Sequence, residues 1–519
     1  MPRALGLFLH GKTGRFNEQR AWTGEILNMT SQTWLTAEDS SQPQWWHLLI
    51  VITVDDEDIR RQTPEGKNET AILYIDGYHN GEIPTAHDEE VLAVAELSVA
   101  TGLTGCLLLQ IPNEPIIFPA DPIQKSRSED AIIAFTWDQY LQHMDRPEWI
   151  VQLPMVKSAI RAMDTVTSHL ELATGTIDFV LAGASKRGWT TWLAAAADAK
   201  YGQRVKAIVP LVFDDLNFRH NLHHHYRAYG GWSFAFEDYY EMNITARLDD
   251  DDATSLFNII DPMFCEYSPI HVSRRRSERT HVMPARADKD RLTMPKLVVD
   301  ATGDEFFVLD DWAFWTDKGF PSLPGNNHFL MAPDTEHSLA TGILEIVPSI
   351  SAFINVVVQS GAAHLPTVSW AVDSTSGDIE LELGPAPAAP DVPVVPSEVT
   401  VWHATTCNTE RRDFRLVNID DPCTCGVAQD GSCLNLQVLW THETLNVTKD
   451  GKYSAHMDPP EDGTWGAFLI DVKFAGTNTG YGWPVGRWGQ LEFTSQVSVV
   501  PNTFPFEDCS GTGCYGTLV

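Results

Sequence analysis

The chain has 519 residues, 43% of them hydrophobic, which is enough apolar surface for a large core and for more than one domain. Its 36 basic residues stand against 70 acidic ones, a formal net charge of −34, which argues against nucleic acid and anionic membrane surfaces as partners. No stretch is long and apolar enough to predict a membrane-spanning helix.

Near the start, Ala4–Leu9 is an apolar run behind Arg3, too short for the hydrophobic region of an ordinary signal peptide. Trp45–Val54 (WWHLLIVITV) is a nearly unbroken β-type run and predicts a strand. Ala71–Ile75 predicts a second, ending in the polar loop Asp76-Gly77-Tyr78-His79-Asn80-Gly81. Glu89–Ala100 has helical spacing, and Cys106–Ile111 reads as a third strand. This alternation predicts a parallel sheet covered on both faces. Asn113–Pro147, rich in proline, charge and aromatic residues, interrupts the rhythm and reads as an insertion near the site. Leu153–Leu172 resumes as an amphipathic helix.

The next stretch, Phe179–Ala199 (FVLAGASKRGWTTWLAAAADA), reads as apolar strand, tight turn and alanine-rich helix. That is the layout of a nucleophile elbow, with Ser185 exposed on a strained strand-to-helix turn. The usual spacing is G-x-S-x-G; here Arg187 holds the fifth place and Gly188 follows it. The alternative is an ordinary strand–loop–helix joint with a buried, hydrogen-bonded serine. Val205–Phe213 predicts another strand, followed by Asp214-Asp215 and a segment of about 214–291 that reads as a lid lining a pocket. The lid holds His223-His224-His225, but consecutive histidines on a helix point to different sides, which disfavours a metal site. Its Asp249–Asp252 run lacks calcium-loop spacing and reads as a solvated loop.

Pro295–Asp300 is the next strand and runs into Ala301-Thr302-Gly303-Asp304. His328–Met331 begins the last, and His337 falls between its end and a helix through Gln359. The order Ser185, Asp304, His337 is nucleophile, acid, base, the order used by α/β hydrolases. Asp300, Asp310 and Asp215 are rival acids and His328 is a rival base. In that scheme the N–H of Lys186 and one from Tyr78 or His79 form the oxyanion hole. The chemistry calls for no cofactor and no metal.

Beyond about residue 360 the helical period disappears. Pro385–Pro396 is proline-rich, and Val399–His403, Phe414–Val417, Leu434–Leu439, Trp465–Phe474 and Leu491–Val500 predict strands of a β-sandwich. Six of the eight cysteines (Cys407, Cys423, Cys425, Cys433, Cys509 and Cys514) lie there, the others being Cys106 and Cys265. Their spacing fits disulfide staples better than zinc, which implies an oxidising compartment. The sequons at Asn28, Asn68, Asn243 and Asn446 agree with secretion. The chain therefore divides into an α/β-hydrolase-like catalytic part, 1–362, and a disulfide-stapled β-sandwich domain, 363–519.

The stretches LAGASKRGWTTWLAAAAD, EDAIIAFTW, LPMVKSAIRAMDTV and DATGDEFF, with the H-x-L after the last strand, together resemble the PhoPQ-activated pathogenicity-related protein family. The resemblance runs from about Trp34 through the β-rich tail, most of the chain. It implies an α/β-hydrolase core, accounts for Arg187 in the place of a glycine, and marks Ser185, Asp304 and His337 as the triad positions. The family is named for regulation and virulence, so the resemblance implies no substrate. The expectation from residues and resemblance together is α/β: a hydrolase core with a mainly parallel sheet and lid insertion, plus a C-terminal all-β sandwich. The expected function is a secreted serine hydrolase of a small-molecule ester or a peptide. The alternative is a non-catalytic binding or signalling protein on the same scaffold.

Overall fold

The computed structural model describes residues 22–55, 69–77, 82–170, 177–263, 288–316, 322–384, 395–418, 433–434, 438–448, 451–474 and 490–519, and 3–11. For 3–11, 288, 418 and 433–434 only the backbone is described. A nine-stranded sheet forms the centre. Its strands are β1 (Arg3–Gly11), β2 (Trp22–Thr33), β3 (Gln44–Val54), β4 (Glu69–Ile75), β5 (Thr104–Leu108), β8 (Ile177–Ala184), β9 (Val205–Leu211), β10 (Lys296–Ala301) and β11 (Asn327–Ala332). A two-stranded ribbon, β6 (Ile116–Ile117) with β7 (Ser126–Arg127), lies outside it. The sheet order is β1-β2-β3-β5-β4-β8-β9-β10-β11. From β5 to β11 neighbouring strands run parallel, and β1, β2 and β3 add an antiparallel edge.

The central strands are apolar without alternation because both faces are covered. On β4, Ala71, Leu73 and Ile75 enter one core while Ile72 enters the other; on β8, Phe179 and Leu181 oppose Val180 and Ala182 in the same way. The first face carries α2 (Glu129–Gln142), α3 (Gln152–His169) and α4 (Lys186–Tyr201). Ala194, Ala195 and Ala196 are fully buried, so α4 lies close against the sheet. The second face carries α1 (Glu89–Thr101) and, from the far end of this part, a helix at Ile343–Gln359. This is the doubly covered, mainly parallel sheet of an α/β-hydrolase core.

In the described part of the lid segment, α5 (Phe218–Tyr229), α6 (Glu237–Glu241) and α7 (Asp251–Ile260) follow β9. A short α8 (Ala313–Thr316) and then α9 (Ile343–Gln359) complete the helices. The tail is antiparallel. The strands β12 (Val368–Val372), β13 (Ile379–Leu383) and β18 (Tyr453–Ala455) form one sheet. A second contains β17 (Thr441–Thr444), β14 (Pro396–Thr405), β19 (Gly466–Phe474) and β20 (Leu491–Thr494), with β21 (Ser498–Val500) also on β19. The short pair β15 (Val417–Asn418) and β16 (Cys433–Leu434) stands apart. Ile379 and Leu381 of the first tail sheet share a core with Val399, Val401, Phe468 and Ile470 of the second. The tail also packs directly on the hydrolase core: Met331 N on β11 donates to Thr494 Oγ1 at 3.0 Å.

Several boundaries differ from those expected. The run Ala4–Leu9 lies within β1, paired with β2, and β2 itself was not anticipated. The stretch Asn113–Pro147 contains α2, which its prolines concealed. The Leu491–Val500 run is split into β20 and β21, and Phe414 precedes the two-residue β15. Cys509 and Cys514 form a disulfide beyond the last strand, and Cys106 is buried in the sheet. Cys265, Cys423 and Cys425 lie outside the described residues, as do the side chain of Cys433 and the sequon residue Asn68.

Candidate active site

Three connections at the carboxyl edge of the parallel strands build the site. The first is the turn from β8 into α4. Ser185 has φ 55° and ψ −128°, a backbone conformation unfavourable to a residue with a Cβ. The turn is held from both sides: Ser185 N donates to Leu211 O at 2.9 Å, and Trp189 N to Ser185 O at 3.0 Å. Two glycines give it room. A Cβ on Gly183 would meet Arg187 O at 2.8 Å and Ile75 O at 2.9 Å. A Cβ on Gly188 would meet Leu211 O at 2.7 Å. The close approach of helix to sheet therefore falls at Gly188, which frees position 187 for a side chain.

The second connection follows β10. Asp304 Oδ1 accepts from Phe306 N at 2.7 Å and from Phe307 N at 3.0 Å. Its Oδ2 is 2.7 Å from His337 Nδ1. The third follows β11, where Gly303 N donates to Thr335 O at 2.9 Å and ties the two loops together. His337 Nε2 then lies 2.8 Å from Ser185 Oγ. Phe306 packs its ring 4.5 Å from the imidazole, centroid to centroid. His337 N donates to Glu305 Oε2 at 3.0 Å. Burial, reinforced by the neighbouring Asp304 carboxylate, pushes the Glu305 carboxyl up to about 7.

The structure thus brings Ser185, Asp304 and His337 together. No hydrogen bond links a rival acid or base to Ser185 or His337 among the described residues. Asp300 accepts from Trp312 Nε1 at 3.1 Å; Asp310 is bound by His224 at 2.7 Å and by Arg412. His328 stacks on Phe493 with centroids 4.4 Å apart, and burial lowers its pKa to about 3. Lys186 opens α4, where the first backbone N–H groups have no helical acceptor. Tyr78 and His79 lie outside the described residues.

Sequence reasoning left the cations of the elbow without specific partners. Lys186 Nζ sits 3.0 Å from Glu129 Oε2 and 2.9 Å from Asp130 Oδ2. Arg187 donates from Nε to Ile111 O and from Nη2 to Glu129 Oε1, both at 2.5 Å. A Cβ on Gly77 would strike that guanidinium at 2.5 Å, so the start of the loop after β4 is shaped around Arg187. Burial opposes the charge on Glu129, yet Arg187 and Lys186 outweigh it and hold the carboxyl well below its usual range. Glu114, buried and then repelled by Glu129, is raised to about 8. The EDAIIAFTW stretch supplies Glu129 and Asp130, so the signal was present in the sequence, but not its distant target.

Residues of the lid segment line a cavity with the serine. A cavity of ≈ 70 Å³ beside Ser185 is walled by Trp137, Trp189, Phe218, Trp232, Phe236 and Tyr239 among others. The three lid histidines diverge as their succession predicts. His223 lies between Asp508 (2.7 Å) and Asp249 (3.0 Å), His224 meets Asp310, and His225 Nε2 accepts from Ser233 N at 3.0 Å. His223 also approaches Cys509 and Cys514, but their sulfurs are joined to one another and offer no thiolate.

A family model described as PhoPQ-activated pathogenicity-related protein matches residues 12–415. The chain is 33% identical over 504 residues to autocrine proliferation repressor protein A of Dictyostelium discoideum, a match covering 95% of this chain and 88% of that protein. Solved structures with a similar fold include Est1E from Butyrivibrio proteoclasticus, at TM-score 0.29 and 13% identity, covering 60% of this chain and 93% of that one. An esterase from Rhizomucor miehei is similar at TM-score 0.35 and 9% identity, with 64% and 83% covered.

Proposed function

This chain belongs to the PhoPQ-activated pathogenicity-related protein family, and on that premise we propose that it is a serine hydrolase that cleaves an ester or amide bond. The observation that carries the reading is the unbroken relay Asp304–His337–Ser185, with contacts of 2.7 and 2.8 Å. Ser185 Oγ attacks the substrate carbonyl carbon while His337 Nε2 takes the hydroxyl proton. Asp304 fixes the imidazole with its proton on Nδ1 and stabilises the imidazolium. His337 then protonates the leaving oxygen or nitrogen, the C–O or C–N bond breaks, and an acyl-serine remains. Water, deprotonated by the same imidazole, attacks the acyl carbon; the serine recovers its proton from the imidazolium and the acid is released.

The oxyanion is held in this reading by the Lys186 N–H and by a second donor from Tyr78 or His79. Each such donor is worth about 3 kcal/mol in the transition state. The Lys186 and Arg187 side chains, already committed to carboxylates, are left to brace the elbow. A fluorophosphonate probe tests the assignment: it should label the wild type covalently and leave Ser185→Ala unlabelled. Labelling that survives in Ser185→Ala overturns it.

A second reading has one observation in its favour, the relative named for autocrine repression of proliferation. In it the chain is a secreted signal on a hydrolase scaffold, and Ser185 is dispensable. Purified wild type and Ser185→Ala, applied to responsive cells, separate the two: equal effects favour the signal reading. Secretion is part of both proposals. Recovery of the protein from the medium with glycan on exposed Asn243 would support it, and retention inside the cell would refute it.

A further inference from the structure

The cavity beside Ser185 has a composition that the hydrolytic relay does not require. Its walls are largely aromatic: Trp189 lies 5.0 Å from Phe218, 5.7 Å from Trp137 and 4.9 Å from Phe213, ring centre to ring centre. An apolar acyl group would be served as well by leucine or isoleucine. Aromatic faces differ in carrying negative quadrupole charge, which attracts cations.

Two acidic residues, Asp130 and Asp215, are among those lining this cavity, beside one basic residue, Lys186. Asp130 has partners: Lys186 Nζ at 2.9 Å and the Tyr239 hydroxyl at 2.8 Å. Lys186 is shared with Glu129, which also holds Arg187, so these two cations and two carboxylates balance one another. Asp215 is 4% exposed, and among the described residues no cation pairs with it; its side-chain partner is the Asn221 amide. The ionisable side chains around it are Asp214, Asp261 and Asp311, all acidic. A buried carboxyl with only acidic neighbours sits in a place that lacks a positive charge. Burial first, and then Asp214 and Asp261, raise its pKa well above the ordinary value.

Resting on the hydrolase reading, we propose that this cavity binds an ammonium group of the substrate, primary or quaternary, with Asp215 as counter-ion and the aromatic rings as walls. The substrate class is then an ester or amide that carries a cationic group within a few bonds of the scissile carbonyl. The formal charge of −34 agrees, since a strongly acidic protein draws cationic ligands toward it.

Choline and its neutral isostere 3,3-dimethylbutan-1-ol are the probes. Both are titrated calorimetrically into Ser185→Ala, and both are tested as competitors of p-nitrophenyl acetate hydrolysis by wild type. Choline should bind and compete at ~10-fold lower concentration than the alcohol, the size of a desolvated cation–aromatic contact. Asp215→Asn should reduce that preference several-fold, and a folded Asp215→Asn that keeps it in full overturns the counter-ion role. Equal potency of the two probes overturns the ammonium proposal even if Asp215→Asn fails to fold, because that comparison uses the intact pocket. If no ester is hydrolysed at all, the hydrolase reading fails by itself, and calorimetry on Ser185→Ala still decides whether the cavity prefers the cation.

Discussion

Replacing Asp304 by asparagine removes one charge and changes one atom, and the structure dictates how the new side chain must sit. Oδ1 accepts two backbone N–H groups, from Phe306 at 2.7 Å and Phe307 at 3.0 Å. Turning the amide nitrogen toward them would leave two buried donors unpaired, at about 1–3 kcal/mol each. The asparagine oxygen therefore stays on the backbone, and its NH₂ faces His337 Nδ1, where Oδ2 accepted at 2.7 Å. An NH₂ donates and cannot accept, so Nδ1 must present its lone pair and the imidazole proton moves to Nε2. Nε2 then donates to Ser185 Oγ and cannot take the hydroxyl proton. A wrong tautomer of this kind costs about 10⁴ in kcat, or roughly 5 kcal/mol of transition-state stabilisation. The assay is the steady-state kcat for p-nitrophenyl acetate, with fluorophosphonate labelling as a second readout and thermal melting as the control for folding. A folded Asp304→Asn enzyme that retains kcat within about tenfold of wild type refutes the reasoning, because Asp304 would then not control the imidazole.

Gly188→Ala puts a methyl 2.7 Å from Leu211 O and 3.0 Å from Phe213 Cβ, and should destabilise the fold by about 1–3 kcal/mol in denaturant melts. Gly513→Ala, with nothing within 4 Å, should melt like wild type. Arg187→Met removes one of the two cations on Glu129, leaving Lys186 at 3.0 Å, and should lower the midpoint in the same measurement; an unchanged midpoint would remove the bracing role. Glu305 supplies a pH test. Its folded pKa is raised from 4.5 to about 7, so between those values the folded chain keeps a proton that the unfolded chain has lost. Its contribution to stability therefore falls as pH rises through that window, by about 3 kcal/mol in all. Glu305→Gln should melt like wild type near pH 4.5 and above it at pH 8; parallel melting curves across that range would contradict the shift.

The strands of the core were legible because each is buried on both faces and reads as an apolar run, Phe179–Ala182 most clearly. The order of Ser185, Asp304 and His337 was legible because each follows such a run by a few residues. β2 was not, since its Thr23, Glu25 and Asn28 interleave with the buried Trp22, Ile26 and Leu27 and blur the pattern. The lid helix α5 was equally hidden: arginine, asparagine and histidine occupy much of it, and its buried residues include His224 and His225. The partnership of Arg187 with Glu129 was beyond reach for another reason. It depends on the first residue of α2 meeting the elbow, which is a fact of tertiary packing and not of local pattern.

The last residues of the chain reach back to the lid. Trp232 N donates to Thr517 O at 2.8 Å, Val519 N donates to Trp232 O at 2.8 Å, and the Trp232 indole donates to Cys514 O at 2.9 Å. Trp232 is also a wall of the cavity beside Ser185. A wall of the cavity is therefore held by a stretch that lies beyond the 12–415 span matched by the family model. Under the hydrolase proposal, a substitution at Thr517 would alter substrate preference before it touched turnover chemistry.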